Sequence, residues 1–168
     1  MRKVIIFTAA IVLTGCFSLP EVEREARVIE DDFERYIRIV GIGNTSRPGP
    51  ISKAQYFLRS FTSKTKKGDT EHQLYVTATY SGENWHYYNR ALLKGGETLE
   101  FIDISSDVDC GGYECTYTKE MVAVIPSDYL QEHSGGFDVK ISSKSGNEFV
   151  ISVTSEQVSK QIEKLESL

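Results

Sequence analysis

The chain has 168 residues, with 19 Lys and Arg against 24 Asp and Glu, for a net charge of −5. Hydrophobic residues at 40%, with 4 Pro and 13 Gly, are ordinary for a globular domain and exclude a collagenous or broadly disordered chain. The acidic balance lacks the basic face through which a nucleic-acid binder meets phosphates, so no nucleic-acid partner is expected.

At the N-terminus, Arg2 and Lys3 precede an apolar run from Val4 to Leu13, broken only by Thr8. Crossing a bilayer takes about 20 apolar residues, so this run is too short to span one and has the length of a signal-peptide core. It ends in Leu13-Thr14-Gly15-Cys16, which resembles the lipobox of bacterial lipoproteins. The resemblance implies cleavage before Cys16 and acylation of that residue, giving the two or more chains that stable anchoring requires. Phe17, rather than Asp, follows the cysteine; by the same resemblance this implies the outer membrane of a Gram-negative envelope, facing the periplasm. Residues 1–15 are then a signal peptide, 16–35 a lipidated tether or short helix, and 36–168 the folded domain. Losing Arg2 and Lys3 moves the net charge from −5 to −7.

Within Glu21–Arg35, Val22, Ala26, Ile29 and Phe33 fall at helix-like spacing, so this stretch reads as a short amphipathic helix or an extended linker. From Tyr36 onward the pattern changes to period two, rich in β-branched and aromatic residues. Strands are expected over Tyr36–Ile42 and Ala54–Thr62, separated by the loop Gly43–Pro50. Lys53, Arg59, Lys64, Lys66 and Lys67 form a local basic stretch without an acid. It reads as a surface for phosphate-bearing lipid, or as a soluble hairpin tip that discourages edge pairing.

His72–Tyr80 alternates cleanly, with Leu74, Val76, Ala78 and Tyr80 on one face. The turn Ser81–Asn84 leads into Trp85–Leu93, which reads as the second strand of a β-hairpin. On that strand Trp85 and Tyr87 face one way, His86 and Tyr88 the other, so one pair lies off the core. These aromatics are either a binding surface for a glycan or protein partner, or a face covered by a terminal segment. Gly95-Gly96 makes the next turn, and Leu99–Ile104 the next strand.

Asp103, Asp107 and Asp109 then read as a solvated turn, because the ring of oxygen ligands of a Ca²⁺ loop is missing. With Cys16 assigned to lipid, Cys110 and Cys115 remain, and a close pair in an exported chain reads as a disulfide. Gly111-Gly112 gives that loop the backbone freedom it needs. A metal would need two ligands from His72, His86 or His133, which are not paired in sequence, so neither metal nor cofactor is expected. Each histidine is expected at the surface or half-buried.

Thr116–Ile125, Phe137–Ser142 and Glu148–Val153 complete the strands, with one helical turn at Pro126–Gln131. Thr154-Ser155-Glu156-Gln157 has the form of a capping box, and Val158, Ile162 and Leu165 place an amphipathic helix over Ser155–Glu166. About eight short strands and a C-terminal helix predict a single antiparallel β-sandwich or open barrel, mainly β. From Trp85 through Gly95-Gly96, Leu99, Phe101, Cys110, Cys115 and Tyr117, the chain also resembles small proteobacterial lipoproteins. That resemblance supports the fold and the disulfide and implies no activity.

No nucleophile elbow, P-loop, dinucleotide glycine motif or zinc-binding helix occurs. The expected function is therefore non-enzymatic: an anchored module that binds a protein or glycan of the envelope. One alternative is an inhibitor or immunity-type protein that meets a cell-wall hydrolase through the Cys110–Cys115 loop. The other is an enzyme acting on glycans or lipids through His86 with Asp103 or Glu120.

Overall fold

The computed structural model describes residues 24–66 and 68–168. The expected signal peptide, Cys16 and Lys67 lie outside the described residues. Ten strands and two helices follow in order: β1 (Arg27–Ile29), β2 (Tyr36–Ser46), β3 (Lys53–Ser63), β4 (Thr70–Gly82), β5 (Tyr88–Leu93), β6 (Thr98–Leu99), β7 (Phe101–Asp109), β8 (Cys115–Ile125), α1 (Tyr129–Glu132), β9 (Gly136–Ser143), β10 (Glu148–Thr154) and α2 (Ser155–Glu166). They form two antiparallel sheets, ordered β1-β2-β3-β4-β8-β7 and β10-β9-β5-β6. The architecture is a sandwich with no closed barrel. Ten strands replace the eight expected, because β1 forms within the charged N-terminal stretch and Thr98–Asp109 divides into β6 and β7.

Period-two burial explains the large sheet. Along β3 and β4, alternate residues such as Tyr56, Leu58, Leu74, Val76 and Ala78 are buried, and their neighbours are half-exposed. Opposite them lie Val139, Ile141, Phe149 and Ile151 of the smaller sheet, all within one core. Each fully buried large apolar side chain contributes roughly 1.5–3 kcal/mol. The smaller sheet cannot cover six strands, and α2 packs against β2 and β3 beside it. The capping box forms as expected: Gln157 N–H donates to Thr154 Oγ1 at 3.2 Å, and Thr154 N–H to Gln157 Oε1 at 3.1 Å.

Gly41 determines how closely α2 can approach. Between Val40 and Gly43 the register of β2 against β3 shifts, a bulge that places two residues opposite Leu58. Gln161, fully buried, fills the space a side chain on residue 41 would take: a Cβ there would lie 2.5 Å from Gln161 Oε1. Gln161 Nε2 donates to Ser60 Oγ at 2.7 Å, and Ser60 Oγ lies 2.7 Å from His72 Nδ1. The Ser127 backbone favours the charged ring, but burial outweighs it and holds the His72 pKa below its ordinary value. Ser60 Oγ accepts from Gln161 and shares its remaining hydrogen bond with Nδ1, in a buried setting that favours the neutral imidazole. His72, expected at the surface or half-buried, is instead only 4% exposed. It shares the buried face of β4 with Leu74 and Val76, and its cross-strand neighbour Ser60 supplies the polar partner that makes this burial tolerable.

The expected hairpin between β4 and Trp85–Leu93 does not form. β8 occupies the free side of β4 from His72↔Ile125 to Gly82↔Cys115, while β5 pairs with β6 and β9 in the other sheet. Residues 83–87 are therefore a crossover between sheets, and strand structure resumes only at Tyr88. Nor are Asp103, Asp107 and Asp109 a turn: all three lie on β7, held in place by pairing with β8. Among the described residues, no helix is long and apolar enough to cross a membrane.

Candidate binding surface

The crossover is held by stacked rings. Tyr80, fully buried, stacks on His86 at 4.0 Å and on Tyr117 at 5.3 Å, and meets Tyr88 edge-on at 6.1 Å. Trp85 lies edge-on to Tyr117 at 4.7 Å, and Tyr88 edge-on to Phe149 at 5.1 Å. His86 N–H donates to Tyr80 Oη at 3.0 Å, and His86 Nδ1 shares a 2.9 Å hydrogen bond with Tyr88 Oη. Burial raises the Tyr80 and Tyr88 hydroxyl pKa values and lowers that of His86, so all three stay neutral at pH 7. Trp85 and Tyr88 thus belong to the packing, with Trp85 half-buried and Tyr88 buried.

Tyr87 is the exception. It takes a positive φ of 52°, rare for a residue with a side chain, and stands 69% exposed. Held by its neighbours on either side, the chain turns this ring outward. Ser145 Oγ also donates to the His86 carbonyl at 3.0 Å, joining the Ser143–Asn147 turn to the same end of the sandwich.

A second exposed tyrosine stands at that end. The disulfide between Cys110 and Cys115 closes the loop linking β7 to β8, and the pairing of Cys115 with Gly82 sets this loop beside the crossover. Tyr113 within the loop is fully exposed. The loop therefore presents a large amphipathic ring from a backbone whose ends are covalently tied.

The basic stretch does not gather into one patch. Lys53 begins β3 and Lys64 follows its end, so they lie on the order of 35 Å apart. Lys64 Nζ donates to the Asp31 carbonyl at 2.6 Å and lies 3.5 Å from Glu30. Lys66 is exposed at the β3–β4 turn. A cleft of about 840 Å³ beside Lys64 reaches Thr70, His72, Ser127 and Leu165. Its Thr62 and Thr70 hydroxyls already bond each other at 3.0 Å.

His86, Asp103 and Glu120 have separate partners. Asp103 accepts from Lys119 Nζ at 2.6 Å, and Glu120 accepts from Ser105 Oγ at 2.8 Å, while His86 lies in the ring stack. His133 stacks on Tyr129 at 3.7 Å beyond the end of α1. Among the described residues, no three of His, Cys, Asp and Glu gather where a metal ion could be held.

One surface went unread in the sequence. On the outer face of the large sheet, Arg59 lies over Phe61 at 5.3 Å and Tyr75 at 4.8 Å, and Phe57 stacks on Tyr75 at 5.1 Å. Burial and the neighbouring Glu120 push the Tyr75 pKa up to about 12. These half-buried side chains flank Val40 and Val122, cross-strand neighbours of Arg59 and Tyr75, which are buried despite facing away from the core. The signal was present in the alternation of Phe57, Arg59 and Phe61 on a strand whose other face is already apolar. Compared with protein-family models, curated proteins and solved structures, the chain matches none.

Proposed function

We propose that this chain is a non-enzymatic binding module of the bacterial cell envelope. It is anchored by lipid on Cys16 at the outer membrane, faces the periplasm, and holds a protein partner at the disulfide-loop end. The observation that carries the reading is the pair of exposed tyrosines, Tyr87 and Tyr113, on two loops that are already fixed. A tyrosine offers a large, half-apolar contact with few rotatable bonds, and a loop that is ordered before binding loses little entropy on docking. The anchor rests on the lipobox-like Leu13–Cys16, and the non-enzymatic reading on the structural employment of His72, His86 and His133.

Crosslinking in intact envelopes tests the partner. The unaltered chain should give a discrete crosslinked species that the Tyr87→Ala/Tyr113→Ala double variant loses while unfolding at the same urea concentration. Equal crosslinking by both chains would refute the site. Cys16→Ala should move the chain from the membrane to the soluble fraction, and retention on the membrane would refute the anchor. Tyr113 on a covalently closed loop also favours a second reading, an inhibitor of a cell-wall hydrolase. Under that reading, purified chain lowers hydrolase activity and Tyr113→Ala restores it.

A further inference from the structure

The binding end is continuous with an open sheet edge. β7 closes the large sheet, and β8 is its single strand neighbour among the described residues. Phe101 and Ile102 are half-buried, whereas every residue from Asp103 to Asp109 is exposed. This part of the strand thus overhangs the sandwich, with both faces and one edge in water. Natural edge strands are usually short, bulged or covered, because unpaired N–H and C=O groups invite another strand. Here a register shift between Asp103 and Ser105 interrupts the pairing once, and Ser105–Asp109 then runs in regular register with β8.

Side-chain charge selects what can pair there. Ser105, Asp107 and Asp109 share the outer face of β7, and Ser106 and Val108 the inner face. Lys119 on β8 is committed to Asp103 and Ser106, and neither Asp107 nor Asp109 has an ion-pair partner among the described residues. The nearest charge on the outer face of β8 is Glu120, another carboxylate. Antiparallel pairing of two β7 strands would set these acids against one another, and directly opposed like charges are destabilising. A second copy of the chain is therefore disfavoured. A strand with cations on alternate residues would instead complement Asp107 and Asp109, and an apolar residue on its other face would meet the exposed Val108.

We propose that β7 is a docking edge, to which an extended segment of the partner protein adds as a further strand, with Lys or Arg facing Asp107 and Asp109. This inference rests on the protein-binding reading above and supplies its mode: backbone pairing for affinity, charge for register. The partner strand would end beside the Cys110–Cys115 loop, because Asp109 is followed directly by Cys110.

The test uses the full chain in detergent and a peptide as long as β7 that alternates Lys and Val, with an alternating Glu and Val peptide as control. Amide hydrogen exchange across residues 103–109 should slow in proportion to the Lys peptide and stay unchanged with the Glu peptide. Asp107→Asn with Asp109→Asn should weaken the Lys peptide about tenfold. Absence of protection at 103–109, equal protection by both peptides, or unchanged binding by the double variant would overturn the proposal, as would self-association through β7. If these fail while the Tyr87- and Tyr113-dependent crosslink persists, the partner docks elsewhere and the binding reading stands. If the crosslink also survives loss of the tyrosines, both fall.

Discussion

Replacing Gly41 by alanine would force apart the bulge of β2 and the helix packed on it. The new Cβ would lie 2.5 Å from Gln161 Oε1 and 2.9 Å from the Leu58 carbonyl oxygen. Gln161 cannot swing aside freely, because it is fully buried and donates to Ser60 Oγ at 2.7 Å. The Leu58 contact is with backbone, and relieving it means shifting β2 against β3. Overpacking of this kind costs about 1–3 kcal/mol, and a lost buried hydrogen bond adds about 1 kcal/mol. Against this, Gly41 is outside the positive-φ region, so alanine would restrict the unfolded chain and restore about 0.4–1 kcal/mol. The steric effect wins, with an expected net loss of roughly 2–3 kcal/mol.

Trp85 is the chain's single tryptophan, and its fluorescence reports urea unfolding. With a slope of about 2 kcal/mol per molar urea, the midpoint should fall by roughly 1 M. Adding Gln161→Ala to Gly41→Ala removes the nearer contact, so the double variant should lose less than the sum of the single losses. A midpoint at or above that of the unaltered chain would refute the reasoning. So would additivity within about 0.5 kcal/mol.

Thr154→Ala removes one half of the capping box and should cost about 1 kcal/mol in the same urea assay, with an unchanged midpoint counting against the cap. Burial holds the His72 pKa below its ordinary 6.5, so in the acid range the unfolded chain takes up a proton that the native chain refuses. Stability from this group is complete above about pH 6.5 and is lost as pH falls towards the lowered native value, at up to about 1.4 kcal/mol per pH unit. His72→Asn should flatten the slope below about pH 6.5, and an unaltered slope would assign the acid sensitivity elsewhere. Cys110→Ser with Cys115→Ser should cost about 2 kcal/mol, the entropy of so short a loop, measured as the shift in urea midpoint. No shift would mean that the loop holds its shape without the bond.

Helix α2 and its cap were legible in the sequence because the information is local: Thr154 and Gln157 satisfy each other, and Val158, Ile162 and Leu165 mark the buried side. The clean alternation of β3, β4 and the central part of β8 was legible for a similar reason. A strand's backbone turns successive side chains to opposite faces, whatever its neighbours are. The cysteine pair was legible through its short spacing.

Alternation assigns residues to faces, but it does not say which strand lies alongside. Trp85–Leu93 follows β4 after a short turn and reads as its hairpin partner, yet β8, distant in sequence, takes that place. Cross-strand burial of Tyr80 with Tyr117, and of Val76 with Met121, rewards the distant pairing. Its consequence is the crossover that turns Tyr87 outward. Past the expected strand Leu99–Ile104 there is almost no apolar alternation, so Asp107 and Asp109 read with Asp103 as a solvated turn. Pairing with β8 nevertheless carries the strand on to Asp109. His72 likewise reads as a surface or half-buried residue until Ser60 meets it across the sheet, with Gln161 reaching Ser60 from a helix. The sequence by itself thus determined the class of fold, the terminal helix and the closed loop, all of which depend on neighbours near in the chain. Tertiary structure alone decided the order of strands, the buried histidine, the pair of outward tyrosines and the open edge, because each depends on which distant segment wins a place in the sheet.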